Sequence, residues 1–243
     1  RQNNMIKTAM IMAAGMGTRF GRYMELVPKG FVEVGGEAMI VRSVRTLLDC
    51  GIRRIILGTG YRKEAYEALQ STYPQIECCY SPRYAETNSM YTLYNTRGMI
   101  GEDDFLLLES DLIFERKAIQ GLLDCPEPDV MLISSLTKFQ DQYYVEYDAR
   151  HILTGCSVNK EELDAKGELV GIHKLSNRFY RQMCEDYAGI VDRQPKLGYE
   201  YELLRMSQTR HPLYVLKIEG LKWYEIDDEA DLEYAEKNIV EYC

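Results

Sequence analysis

Short apolar runs alternate along the first half of the chain with amphipathic stretches of helical period, the mark of repeated βαβ units around a largely parallel sheet. Residues 7–13 read as the first strand, ending in the turn AAGMGTRFG. Residues 37–50 set Ile40, Val44, Leu47 and Leu48 on one helical face, and Gly51 follows as a C-terminal cap. A strand at 54–57, a polar helix over about 62–72 and a strand at 76–80 come next. Residues 90–100 read as helical, and 104–108 form an almost continuous apolar run suited to the middle of a sheet.

After a further strand at 130–134 the pattern changes. From about 138 to 171 the segments are short, polar and rich in tyrosine, more like antiparallel ribbons than further βαβ units. They are expected to form an acceptor-sized lobe inserted over the carboxyl edge of the sheet, within a single domain over 5–243. Helices at 176–187 and 199–206, a strand at 214–218 and a last helix complete the chain. Asp228 is the expected N-cap of that helix, with Asp231 at its third position.

Composition narrows the picture. The 243 residues, 46% hydrophobic and 28% charged with seven prolines, can bury one substantial core and leave no room for a Pro-rich linker. A formal charge of −9 disfavours a nucleic-acid surface, although local arginines and a metal can still hold a free nucleotide. The seven cysteines are odd in number, scattered and without a C-x-x-C pair, which points to reduced thiols in a cytoplasmic protein. The apolar stretch 10–14 is too short to span a bilayer and follows no signal-peptide pattern, so no membrane partner is expected. Residues 1–4 precede Met5, a plausible initiator, and are expected to be an extraneous remnant. The last helical pattern runs to Cys243, which fits a module fused to, or acting beside, another enzyme domain of the same pathway.

The strongest motif follows the first strand: Ala13, Ala14, Gly15, Met16, Gly17, Thr18 and Arg19, then Pro28-Lys29-Gly30. Such a loop lets backbone N–H groups approach phosphates, and Arg19 and Lys29 can neutralise their charge. A dinucleotide fold would need G-x-G-x-x-G and an acidic residue closing the second strand; here Gly21 falls one position late and that strand ends in Gly58-Thr59-Gly60. This argues against an NAD(H)-dependent oxidoreductase. A Walker A loop is absent, and a purely structural turn is the bland alternative. Asp111 follows FLLLES, where Glu109 closes the strand, and Asp227 stands in WYEIDD before the last helix. Carboxylates at strand ends suit Mg²⁺ beside phosphate oxygens, and any one of them could equally be a cap or a solvated turn residue.

These residues resemble the nucleotidyltransferases that activate sugars and phosphoamines, whose opening strand and loop read L-A-A-G-x-G-[S/T]-R followed by P-K. The likeness implies a Rossmann-like α/β fold of the nucleotide-diphospho-sugar transferase type, with a mostly parallel sheet, helices on both faces and a small antiparallel lobe. It implies that residues 13–19 wrap the triphosphate, with Glu109 also on the nucleotide side, and that Lys29 and Arg19 stabilise charge at the α-phosphate. It further implies that Asp111 and Asp227 share Mg²⁺. A catalytically silent nucleotide sensor would have lost Lys29 or one of these aspartates, and all three are present.

The segment Y-A-E-T-N-S-M-Y-T-L-Y, residues 84–94, resembles Y-A-x-x-N-N-x-Y-S-L-Y of the choline-phosphate cytidylyltransferase branch. By that likeness Asn88 and Ser89 hydrogen-bond a cytosine edge, favouring CTP; helix capping is the alternative for both. A quaternary ammonium suits an aromatic cage, whereas a primary ammonium donates three hydrogen bonds and favours carboxylates. The chain has one tryptophan, Trp223, and its lobe offers tyrosines and glutamates. The acceptor candidates are Tyr143, Glu146, His173, Tyr201 and Glu202, any of which could instead only pack the lobe. The sequence is thus closer to the phosphonate-pathway members that join CMP to 2-aminoethylphosphonate with release of pyrophosphate. Phosphocholine or phosphoethanolamine, and then a sugar 1-phosphate, are the alternative acceptors.

Overall fold

The period-two alternation of β1 (Thr8–Ala13) turns Met10 and Met12 to one face of a sheet and Ala9, Ile11 and Ala13 to the other, and all five are buried. In the computed structural model, which describes residues 5–137 and 142–243, the chain continues through a short ribbon, β2 (Glu33–Val34) and β3 (Glu37–Ala38), into α1 (Met39–Asp49). Then come β4 (Arg54–Thr59), α2 (Lys63–Ala68), β5 (Ile76–Tyr80), α3 (Ser89–Asn95), α4 (Arg97–Ile100), β6 (Phe105–Glu109) and β7 (Leu112–Phe114). The second half runs α5 (Lys117–Asp124), β8 (Val130–Ser134), β9 (Tyr144–Tyr147), β10 (Leu153–Ser157) and β11 (Gly167–Leu175). It closes with α6 (Asn177–Ala188), α7 (Tyr199–Thr209), β12 (Tyr214–Ile218), β13 (Trp223–Glu225) and α8 (Glu229–Asn238).

Nine of these strands form one mixed sheet. Strands β5, β4, β1 and β6 are parallel neighbours in that order, β11 pairs antiparallel with β6 and β8, and β12 lies parallel to β8. Strand β6 lies inside the sheet between β1 and β11, and its two faces are buried in separate core clusters, Phe105 and Leu107 in one and Leu106 and Leu108 in the other, so the strand needs no polar alternation. Helices α3, α6 and α7 pack on the face of Met10, Leu107 and Met131, while α1 and α5 pack on the face of Ile11, Leu106 and Leu132. Truncating a central residue such as Leu107 to alanine would cost roughly 2–5 kcal/mol.

The α/β class and most elements agree with the sequence pattern, and the differences have local causes. Glu37 and Ala38 pair with β2 before the helix starts, so α1 begins at Met39. The expected helix at 90–100 is divided at Thr96, whose hydroxyl bonds back to the Leu93 carbonyl. The expected helix at 62–72 ends at Ala68 and finishes as a 3₁₀ turn. The last helix stops at Asn238, with a 3₁₀ turn after it. Helix α5 and the β7–β13 ribbon were not legible in the pattern. The tyrosine-rich segment forms β9 and β10, hydrogen-bonded to the start of β11 in the main sheet; its first residues, 138–141, lie outside the described residues. All seven cysteines are free thiols, and no helix among the described residues is long and apolar enough to cross a membrane.

One position ties the sheet to its carboxyl edge. The β11–β8 register shifts between Leu169 and His173, and within that shift Gly171 adopts φ +91°. A Cβ on Gly171 would lie 2.3 Å from Glu109 Oε2, so the site serves both the bend and the close approach of that carboxylate. Gly171→Ala is therefore expected to lose about 1–3 kcal/mol of stability, read as a lower urea midpoint with an unchanged m-value.

Candidate active site

Strands β4 and β6 lie on opposite sides of β1, so the connections diverge at β1 and leave a crevice at the carboxyl ends, where open α/β sheets bind ligands. A cleft of about 260 Å³ opens there. Ala14, Gly15 and Gly17 from the loop after β1 line it, with Glu109 and Asp111 at the end of β6 and Asn88 and Ser89 at the start of α3. Tyr199 and Glu200 from α7 complete one wall.

The charged centre is assembled from three distant segments. Lys29 sits in a 3₁₀ turn set up by Pro28, whose carbonyl accepts from the Phe31 amide at 2.9 Å. Its Nζ donates to Asp111 Oδ2 at 2.8 Å and to Asp227 Oδ1. Arg19 Nη2 lies 3.3 Å from Asp227 Oδ2. Asp111 and Asp227 approach because β7 and β13 pair antiparallel and the Ile226 amide donates to the Asp111 carbonyl at 2.9 Å. A small apolar cluster holds the ends together: Phe20 beside Arg19, Ile113 beyond Asp111 and Ile226 before Asp227, with Val34 and Ala235. The start of α8 fixes Asp227 reciprocally. Asp228 Oδ1 accepts from the Asp231 amide at 2.9 Å, and Asp231 Oδ2 accepts from the Asp227 amide at 3.0 Å.

Carboxylates crowd around this ammonium. Burial by itself disfavours the charge on Lys29, but Asp111 and Asp227 outweigh it and raise its pKa far above the ordinary lysine value. Carboxylate oxygens of Glu109, Asp111 and Glu225 lie within 4.8 Å of one another. Burial raises Glu109 well above the usual range, with Glu225, Asp111 and Glu200 adding to it, while a 2.7 Å bond from the Tyr199 hydroxyl opposes the rise. Asp111 Oδ1 is buried and accepts no hydrogen bond from any described residue. Hard oxygen donors in this crowding, one of them unsatisfied, fit a divalent cation such as Mg²⁺.

Of the loop and carboxylate residues singled out in the sequence, Ala14, Gly15, Gly17, Lys29, Glu109 and Asp111 line this cleft, Asp227 joins them through its ion pair with Lys29, and Arg19 through its ion pair with Asp227; Ala13 is buried in the sheet core, and Met16 and Thr18 are exposed. Asn88 is the N-cap of α3, its Oδ1 accepting from the Ser89 amide at 2.8 Å. Ser89 Oγ accepts from the Tyr199 amide at 2.9 Å. Of the acceptor candidates, Tyr143 and Tyr201 pack edge to face at 5.9 Å beside Glu200. His173 is fully buried behind Tyr199, its Nε2 2.9 Å from the tyrosine hydroxyl, and burial depresses its pKa to about 3. Because that hydroxyl donates to Glu109, His173 must be the donor through Nε2. Glu146 and Glu202 are engaged away from the cleft, Glu146 with Thr154 Oγ1 and the Asp164 amide, Glu202 with Arg205. From the mixed cluster Tyr199, Glu200, Tyr201 and Glu202 the sequence reading chose Tyr201 and Glu202, whereas Glu200 and Tyr199 line the cleft; it also left out Glu225, for which the signal was at hand, two positions before Asp227.

A family model for the MobA-like NTP transferase domain matches residues 9–182, more than half of the chain. The chain belongs to this family. It is 30% identical over 237 residues to a choline-phosphate cytidylyltransferase of Streptococcus pneumoniae, covering 92% of this chain and 94% of that one. It is 26% identical to a CMP-5'-(3-aminopropyl)phosphonate synthase of Streptomyces rubellomurinus over 94% of this chain, and 31% identical to a 2-aminoethylphosphonate cytidylyltransferase of Lancefieldella rimae over 48% of it. The chain spans 38% of the length of the synthase, and the Lancefieldella match covers 48% of that enzyme. Among solved structures, the CTP:phosphocholine cytidylyltransferase of S. pneumoniae superposes with a TM-score of 0.79 at 22% identity, covering 96% of this chain and 99% of that one. The fold is that of this nucleotidyltransferase family.

Two outcomes follow from the site's charge. Lys29→Ala leaves two mostly buried aspartates without their ammonium and is expected to cost about 3 kcal/mol of stability at pH 7.5; added Mg²⁺ should raise the thermal midpoint more in this variant than in the wild type. Glu200 is buried and raised to about 7, by burial first and by Asp111 next. A carboxyl so raised stabilises the fold fully below about 4.5, and the contribution is lost as pH rises through about 7. Glu200→Gln is therefore expected to be more stable than wild type by about 2–3 kcal/mol at pH 8, with the difference gone at pH 4 in calorimetric scans.

Proposed function

We propose that the chain is a Mg²⁺-dependent cytidylyltransferase that joins CMP to a small phosphonate or phosphate amine, 2-aminoethylphosphonate in the first place. The observation that carries this reading is the Lys29 ammonium held between Asp111 and Asp227, at the mouth of a glycine loop and beside the clustered carboxylates of Glu109 and Glu225. An anionic triphosphate needs the first arrangement; a cationic acceptor suits the second.

In the proposed reaction an anionic oxygen of the acceptor attacks the α-phosphorus of CTP in line. The new P–O bond forms as the bond from that phosphorus to the bridging oxygen breaks, and the electron pair leaves on pyrophosphate. No general base is required, since the acceptor oxygen is largely ionised near neutral pH. The loop amides of residues 14–17 orient the triphosphate. Lys29 and Arg19 stabilise charge that builds at the α-phosphate, Lys29 exchanging part of its contact with the aspartates for phosphate oxygen. Asp111 and Asp227, with Glu109 and Glu225 adjacent, would hold Mg²⁺, which when bound supplies Lewis-acid charge neutralisation to the phosphates.

The amine end falls to Glu200, 7% exposed and backed by Tyr143 and Tyr201. Trp223, the sole indole in the sequence, is buried with its Nε1 on Ser134 Oγ at 2.7 Å, so no indole is available to cage a quaternary ammonium. A carboxylate-rich wall favours a primary ammonium, which donates three hydrogen bonds. Choline phosphate is the second reading, favoured by the Tyr143–Tyr201 pair and by the full-length likeness to the pneumococcal enzyme.

Pyrophosphate release measured for each NTP against 2-aminoethylphosphonate, phosphoethanolamine, phosphocholine and hexose 1-phosphates, with and without Mg²⁺, tests this directly. CTP with 2-aminoethylphosphonate is expected to be fastest and to need the metal. Turnover with a sugar phosphate alone would overturn the acceptor. Lys29→Ala should lower kcat by roughly a hundredfold or more with the chain still folded.

A further inference from the structure

Helix α7 carries Tyr199 and Glu200 into the cleft, yet it does not cap itself. Its N-cap residue is Gly198, which has no side chain to offer the first turn. A Cβ there would lie 2.6 Å from Glu200 Oε2, so the space that a capping side chain needs is filled by the Glu200 carboxylate, folded back onto its own amide. The amide of Tyr199 still requires an acceptor. It donates to Ser89 Oγ at 2.9 Å, across 110 residues of sequence.

Ser89 has this hydroxyl to spare because Asn88 already caps α3. Further bonds hold the two segments in register. The Asn88 amide donates to the Pro195 carbonyl at 3.1 Å and the Met90 amide to the Leu197 carbonyl at 3.2 Å. From the other side, Lys196 Nζ donates to the Ala85 carbonyl at 3.1 Å. The stretch facing the nucleotide and the stretch facing the acceptor are thus stitched at the point where α7 begins.

We propose that Ser89 is a positioning residue of the acceptor subsite. By capping α7 from outside, it fixes Glu200 and Tyr199 against the cleft, so the segment that the sequence assigns to the base also sets the geometry in which the amine is held. This role rests on the amine-acceptor reading above. It does not require that Ser89 read the base.

The test is steady-state kinetics of wild type, Ser89→Ala and Ser89→Thr with the best amine acceptor at saturating CTP, together with thermal midpoints. Removing one cap interaction is worth roughly a several-fold change in equilibrium. Ser89→Ala is expected to raise the acceptor's KM at least threefold, and Ser89→Thr, which keeps the oxygen, to restore it to within threefold of wild type. A loss of stability alone would lower the midpoint or the active fraction and leave that KM in place. A rise of less than threefold in Ser89→Ala, whatever happens to the KM of CTP, overturns the proposal, as does a Ser89→Thr variant as impaired as alanine. Should Ser89→Ala not fold, Ser89→Cys, whose sulfur is a weak acceptor, carries the same thresholds. Wild type that releases no pyrophosphate with any amine acceptor would instead overturn the function on which this rests.

Discussion

The ammonium of Lys29 is the point on which the carboxyl edge of this protein depends. It draws together a turn near the start of the chain, the end of the central strand and a ribbon near the C-terminus, the last two 82 and 198 residues away from it. Its pKa is raised because two aspartates are held close to it, and those aspartates can be held close because it stands between them. The apolar cluster of Phe20, Ile113 and Ile226 supplies the non-polar part of the same closure, so neither the charge nor the packing is arranged alone. On the proposed reading, a phosphate entering the cleft would compete for the same ammonium, and a divalent ion would match the aspartates it leaves.

Much of this was legible in the chain because short-range chemistry dictates it. Short apolar runs between helical stretches marked β1, β4 and β8; the unbroken apolar run marked β6 as central; Asp228 announced the start of α8. The glycine loop, Lys29, Asp111 and Asp227 stood out because residue type and order along the chain carry the information. What escaped was set by tertiary distance. Glu200 reaches the cleft because α7 begins where it does. Glu146 and Glu202 share its chemistry, but the fold gives them Thr154, Asp164 and Arg205 as partners. No spacing rule separates such glutamates before the helices are placed. The same holds for Ser89, which a local reading assigns to a helix start or a base, whereas the structure spends its oxygen on another helix.

The crowding of carboxylates has a cost that the fold bears in exchange for recognition. Glu109 is raised by burial and then by Glu225, Asp111 and Glu200, and Glu200 by burial and then by Asp111, a crowding of negative charge that a cationic ligand would relieve. The buried His173–Tyr199–Glu109 chain limits that strain at one carboxylate by aiming a hydroxyl proton at it. Gly171 makes room for the same carboxylate from the neighbouring strand.

The borrowed cap of α7 also bears on how such a wall can be changed. A helix that supplies its own N-cap can be exchanged as a cassette, because its start travels with it. Here the start belongs to α3, and the glycine that forces this arrangement belongs to α7. On the amine-acceptor reading, transplanting residues 198–209 alone would move the side chains of the acceptor wall without the oxygen that aims them, and 84–92 would have to travel with them. Acceptor preference would then be carried by a pair of segments that the fold has joined.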